Sequence, residues 1–330
     1  MRTRKAPAAI VAALPEQMVR AAWLYYAESM TQAQISRLMR ISRAKVIGLL
    51  AAARDSGLVR IRIDAKSGAQ LALERRLVER FSLLEAVVVP APASEGDVAR
   101  VVGHAAGTYL VDQLRDGMSI GVGWGETLHM SLKAIGDRPF RRLSVISLLG
   151  DITHSRTVTP ATVARRLADA FAADCYQLTA PLVVANPDLA RALWAEPGLH
   201  ELRDRARQAD LVLASVGDVS ANATLFREGL LPKADLSSLR EAGAVGDLLC
   251  HFLDADGHVV DHPSNPRMIA VELDDVRRVP KIVVASGGRR KVAALRAAML
   301  AVPVRVLITD EAAARGLLDS RSPRWGAGDR

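Results

Sequence analysis

Between Pro15 and Gly57 apolar residues recur every three or four positions in three successive blocks, the period of helices with one buried face. The first block, PEQMVRAAWLYYAESM, places Met18, Ala21, Ala22 and Tyr25 at helical spacing. Thr31 opens the second, TQAQISRLMR. Gln34 follows three residues later in a capping-box pattern, so a new helix begins there with Ile35 and Leu38 facing inward. After a short break Ser42 can cap a third helix, SRAKVIGLLAAARDS. Its buried face is Val46, Leu49, Leu50 and Ala53, and Gly57 marks its end. LVRIRI then alternates as a strand, with Arg60 and Arg62 on one side and Val59, Ile61 and Ile63 on the other.

After a Ser-Gly pair, Leu73, Leu77 and Phe81 fall at four-residue steps. They predict a linker and a helix that packs on the body or on a partner subunit. Beyond it the pattern changes. Short β-rich runs (Ala86–Val89, Ser119–Val122, Leu143–Leu148, Leu211–Val216, Lys281–Ala285 and Val304–Thr309) alternate with helical stretches such as Asp97–Leu114, Pro160–Ala173 and Arg290–Leu300. This alternation predicts a doubly wound α/β domain with a mainly parallel sheet. The domain reading is therefore a helical head over 1–64, a linker and coupling helix over 65–83, an α/β body over 84–320, and a loose tail over 321–330.

Charge sharpens the division. Residues 1–66 hold twelve Lys and Arg against four acids, which accounts for the whole formal excess of +8, while the remainder is balanced. A polyanion-binding head on a neutral body is the electrostatic reading. Two helices joined by a tight turn form a helix-turn-helix, which lays the start of its second helix in the DNA major groove. Arg43 and Lys45 occupy that first turn beside Ser42, Thr31 and Gln32 begin the preceding helix, and Arg37 and Arg40 flank the turn. The strand with Arg60 and Arg62 resembles the start of a wing. A three-helix protein-interaction module is the competing reading.

Composition sets outer bounds. With 50% hydrophobic and 24% charged residues the chain is not a disordered one. Two cysteines, Cys175 and Cys250, exclude a disulfide scaffold and fit a reducing cytoplasm. No apolar run reaches the ~18–20 residues of a membrane span. The start, MRTRKAPAAIVAALPEQ, has basic residues before a short alanine-rich stretch that runs directly into the first helix, so it is not read as a signal peptide.

Two strand-to-helix turns could carry chemistry. SIGVGWGET, Ser119 to Thr127, brings Gly123, Gly125, Glu126 and Thr127 to the start of a helix. VASGGRRK, Val284 to Lys291, brings Gly287, Gly288 and Lys291 to another. Each can turn backbone N–H groups toward an anion, and each can equally be a tight packing corner. The first lacks the Gly-Lys-Ser/Thr of a P-loop and misses G-x-G-x-x-G by one position, so no nucleotide cofactor is expected. His258 and His262 follow a DADG hairpin turn and stand too far apart on a strand to share a metal. Asp254-x-Asp256-Gly257 is not a calcium loop, because Asn265 stands where the terminal glutamate is needed. No G-x-S-x-G nucleophile elbow occurs, and no compact His/Asp/Glu group is expected beside the two turns.

The stretch AAWLYYAESMTQAQISRLMRISRAKVIGLLAAARDSGLVRIRI resembles the DNA-binding head of SorC-type sugar-binding transcriptional regulators, relatives of the DeoR type. It departs at Arg40, where the turn commonly has glycine, and at Ile47 and Gly48, where relatives carry Ser-Arg. A glycine within a helix costs about 1 kcal/mol against alanine, so Gly48 is expected to serve packing or close approach. The resemblance continues over roughly 15–318 through GVGWGETL (121–128), LTAPLVV (178–184), ADLVLASVG (209–217), GAVGD (243–247), GGRRK (287–291) and LITDE (307–311). It implies an effector domain similar to sugar-phosphate isomerases and deaminases, binding a phosphorylated sugar or related polyol. On that resemblance Gly123, Gly125 and Thr127 meet the ligand in one loop, Asp247 binds hydroxyls, and Gly287, Gly288 and Lys291 hold phosphate. Glu126 would repel a phosphate placed beside it.

The expected function is a cytoplasmic transcriptional regulator, not an enzyme, whose affinity for double-stranded operator DNA is set by a small carbohydrate-derived effector. Paired half-sites imply a homo-oligomer, a dimer or a tetramer. Two readings compete with it: an isomerase or deaminase carrying a DNA-binding appendage, and a DNA-binding protein whose body only oligomerises.

Overall fold

The computed structural model of the chain describes residues 16–59, 67–155 and 159–319. Arg60, Arg62 and the rest of the wing-like strand beyond Val59, the basic N-terminal residues and the tail 321–330 lie outside the described residues. Two compact units separate at Asp64, Met1–Asp64 and Ala65–Arg330.

The first unit is a three-helix head, α1 (Glu16–Tyr26), α2 (Gln32–Met39) and α3 (Arg43–Asp55). Ala21, Leu24, Ile35, Val46 and Leu50 form its core, and Met18, Ala22 and Ala53 a second small cluster beside it. Leu38 does not face inward as its spacing suggests; it is 52% exposed. Met39, about 40° around the helix from Ile35, packs against the core instead, while Leu38 lies about 60° to the other side. Likewise Leu24 is buried, and Tyr25 is only half-buried, set edge-on against Tyr26.

Arg40 occupies the left-handed conformation (φ 54°, ψ 42°) after α2, the position where glycine is usual. Ile41 N–H donates to Ser36 C=O, and the Ser36 hydroxyl donates to Ile41 C=O at 2.6 Å. The turn therefore forms without glycine, held by Ser36 from both directions.

The second unit is built on seven parallel strands: β1 (Glu85–Val89), β2 (Ser119–Val122), β3 (Ser144–Ser147), β4 (Asp174–Tyr176), β5 (Leu211–Ala214), β9 (Ile282–Ala285) and β10 (Val304–Asp310). Their order is β1-β10-β9-β5-β2-β3-β4. An antiparallel sheet of β6 (Val216–Asp218), β7 (Gly246–Leu248) and β8 (His251–Leu253) stands beside it. The apolar run Leu211–Val216 is thus divided between two sheets, and β4, β7 and β8 are too short to leave a periodic signal. From β2 the chain steps to β3 and β4, whereas from β5 it steps the other way to β9 and β10. The topological switch point lies between the paired strands β2 and β5.

Two packing devices matter for the site. Helix α4 (Gly68–Phe81) buries Leu73, Leu77 and Phe81 as its spacing predicts, and also Gln70 and Glu74. The Gln70 Nε2 donates to Val88 C=O at 3.2 Å, and Val88 N–H donates to Glu74 Oε1 at 2.8 Å. The helix thereby satisfies the outer strand of the sheet as a neighbouring strand would. Helix α5 (Val98–Gln113) lies against α6 (Glu126–Ser131) through Gly103 and Gly107. A Cβ there would stand 2.5 Å from Thr127 C=O and 2.3 Å from Ser131 C=O.

Candidate effector site and nucleic-acid interface

Ligands of open α/β sheets bind beyond the carboxyl ends of strands at the switch point. A cavity of about 390 Å³ opens there, lined after β2 by Trp124 to Thr127, after β5 by Ser215 to Asp218, and after β9 by Gly287 to Lys291. The two turns singled out in the sequence meet in this one crevice. Gly125, Thr127, Asp247, Gly287, Gly288 and Lys291 line it.

Their individual roles differ from the expected ones. Gly123 is not in the lining; its N–H donates to Leu213 C=O within the sheet. Gly288 N–H is engaged by Asp310 Oδ1 at 2.9 Å, so it is not presented to a ligand. Helix α6 has only six residues, too few to give Thr127 the positive end of a long helix. The Lys291 ammonium donates to Val216 C=O at 2.8 Å, with the Asp218, Asp247 and Glu126 charges around it. Burial lowers the Lys291 pKa, and those three carboxylates oppose the change.

Asp247 sits at the bend of the small sheet. Its partner across β6 is Gly217, where a Cβ would stand 2.0 Å from Asp247 Oδ1. Only glycine leaves room for this carboxylate. Leu249 and Cys250 both take positive φ (50° and 64°) in the two-residue turn that follows, and Cys250 N–H donates to Asp247 Oδ2 at 3.1 Å. Burial raises the Asp247 pKa from 3.8 to about 6, against the pull of the Cys250 amide and Lys291.

Several lining residues carried no sequence signal. Asp218, Asn222, Arg227 and Cys250 reach the cavity from the small sheet and from the loop and short helix after β6, elements too short to show a pattern. Four carboxylates and four cations face one another. Arg227 bonds Glu126 at 3.4 Å and Glu228 at 3.5 Å, and Arg290 meets Glu95 at 3.6 Å. Glu126 is therefore neutralised by Arg227 instead of standing as a bare charge. Glu126, Asp218, Asp247 and Lys291 line this one cavity, so charged side chains do gather beside the turns, although no histidine is among them.

The histidines His258 and His262 are engaged separately. His258 meets Asp254 at 3.5 Å, and His262 accepts from Ser264 N–H and contacts the Ser238 hydroxyl at 3.0 Å. Asp254 Oδ1 accepts the N–H groups of Asp256 and His258, closing its own turn. Among the described residues no group of three metal-binding side chains occurs, and no helix is long and apolar enough to cross a membrane.

In the head, the Thr31 hydroxyl caps α2 and the Ser42 hydroxyl caps α3, accepting from Gln34 and Lys45 N–H. Gln32 is half-buried and its Oε1 accepts from Arg43 Nε at 3.4 Å, tying the two helix starts together. Arg37, Arg43 and Lys45 are exposed. The Cβ position of Gly48 is open space on the outer side of α3, so the packing expected to explain this glycine is not found within the head.

Comparison with known proteins agrees with this layout. The Sugar-bind family model, a sugar-binding domain, matches residues 66–319. The chain is 32% identical to the deoxyribonucleoside regulator of Bacillus subtilis over 91% of this chain and 96% of that protein. It is 31% identical to the transcriptional regulator LsrR of Klebsiella pneumoniae, over 94% and 95%. The full-length sorbitol operon regulator SorC from Klebsiella pneumoniae shares the fold, with a TM-score of 0.69, 24% identity, and coverage of 92% of this chain and 98% of that one. With a matched sugar-binding domain behind a three-helix head, and with relatives matched over more than nine-tenths of both chains, the chain belongs to the SorC-type family of sugar-binding transcriptional regulators.

Proposed function

We propose that this protein is a cytoplasmic DNA-binding regulator whose affinity for a double-stranded operator is set by a phosphorylated sugar or related polyol. The observation that carries the reading is the convergence of the turns after β2, β5 and β9 on one polar cavity at the switch point, in a chain whose excess charge lies in its head. The hydroxyl end of the effector accepts and donates at Asp247, Asp218 and Thr127. The phosphoryl end faces Arg289, which is exposed on the cavity wall, and Lys291. The head contacts DNA through Arg43, Lys45 and Arg37, with the two helix starts fixed by Thr31, Ser42 and Gln32. A dimer or tetramer of the chain presents two heads to paired half-sites.

The carboxylates lining the cavity with Lys291 are the feature on which a second reading, an isomerase or deaminase, would draw. The bonds of Lys291 to Val216 and of Asp247 to Cys250 serve equally to hold a ligand that is not converted. A panel of sugar phosphates and their unphosphorylated counterparts, scored by thermal stabilisation of the full chain, separates the readings. A ligand recovered unchanged after prolonged incubation supports the regulator; turnover supports the enzyme. A hydrogen bond to a charged group is worth about 1.5–3 kcal/mol. Arg289→Ala or Lys291→Ala therefore weakens a phosphorylated ligand roughly 10- to 150-fold in calorimetry. Arg289→Ala leaves an uncharged polyol unaffected, and equal affinities for the phosphorylated ligand would remove the phosphoryl assignment.

A further inference from the structure

From Val46 to Ala53 helix α3 reads VIGLLAAA, eight residues without one hydrogen-bonding side chain. Val46, Leu50 and Ala53 are buried in the head. Ile47 is not; it is 47% exposed, and Gly48 beside it adds no side chain and has open space around it. Hydrogen-bonding groups on the exposed side of α3 are thus confined to Arg43 and Lys45 in the first turn before the helix reaches Arg54 in its last. Ile47 stands one turn beyond Arg43, on the same side of the helix.

The class of surface this arrangement fits is set by charge and by chemistry. The +8 excess of residues 1–66 selects a polyanion. Among the base edges of the major groove, the thymine C5-methyl is the apolar group on offer. A β-branched side chain on a helix is held near one rotamer, so Ile47 is ordered before any contact forms. Gly48, with open space in place of a side chain, leaves nothing beside Ile47 to hold the helix away from a groove.

We propose that Ile47 is a specificity-determining residue that reads a thymine methyl in each operator half-site, one helical turn beyond Arg43. The inference rests on the DNA-binding reading above, and its test separates the two. Duplexes enriched by the full-length protein from a random pool define a binding sequence. Each thymine is then replaced singly by deoxyuridine, which removes only the methyl group. At one thymine per half-site the wild type loses about fourfold in affinity, the ordinary effect of one buried methyl. Ile47→Ala binds the two forms equally, with an unchanged salt dependence, because no phosphate contact is lost. Ile47 is outside the head core, and an unchanged helical signal and thermal transition of the variant verify its fold. Ile47→Val retains part of the methyl sensitivity. If no thymine is sensitive in the wild type, or if the sensitive thymine remains equally sensitive in Ile47→Ala, the assignment is overturned. Enrichment of no sequence at all overturns the DNA-binding reading and this inference with it.

Discussion

At the scale of single residues, Asp247 is where burial and binding oppose each other. Its pKa is raised from 3.8 to about 6 by burial, so the folded protein takes up a proton there before the unfolded chain does on acidification. The charged form costs the fold stability above about pH 6, and that cost is relieved as the pH falls from 6 toward 4. Effector binding runs the opposite way if the carboxylate accepts a ligand hydroxyl: roughly tenfold weaker at pH 5 than on the plateau above pH 7. Calorimetric titrations at both pH values with an uncharged polyol ligand, which does not itself titrate in this range, should show this in the wild type and a flat profile in Asp247→Asn. Gly217→Ala places a Cβ against the same carboxylate and should weaken binding by displacing it. Asp247 was legible in the sequence through the GAVGD resemblance. Gly217 was legible only as a family match, because its reason is a cross-strand neighbour brought in from thirty residues away.

Elements show why some positions were readable and others were not. The helices with long periodic faces, α1, α3, α4 and α5, match their expected spans closely, and so do the four- to seven-residue strands of the parallel sheet. The three-residue strands that carry Asp218 and Asp247 were invisible, since three residues cannot display a period. Spacing also misjudged Leu38, because positions three and four after Ile35 flank its face on opposite sides and the core takes Met39. The left-handed Arg40 makes the end of α2 a testable point. Arg40→Gly should stabilise the head by about 1 kcal/mol, read from denaturant unfolding of the full chain, because a residue with a Cβ is strained there. On the body, Glu74→Ala leaves the buried Val88 N–H without its acceptor. It should lower body stability by about 1–3 kcal/mol. A variant as stable as the wild type would mean that the outer strand does not depend on α4.

For the whole molecule, the separation of charge from cavity is the organising fact. The excess positive charge lies in residues 1–66, while the polar crevice sits at the switch point of a balanced body. Arg43→Ala and Lys45→Ala should each weaken operator binding and reduce the slope of log K against log salt by about 0.9 per lost phosphate contact, with ligand stabilisation unchanged. The measurement that bears most directly on the account is an operator titration of the full chain with and without the effector found by thermal stabilisation. Saturating effector should shift operator affinity by about five- to 150-fold, the usual range of coupling between sites. At an effector concentration that just saturates the wild type, Asp247→Asn should show a smaller shift, while ligand-free binding to the operator stays the same. An effector that occupies the cavity and leaves operator affinity unchanged would contradict the account.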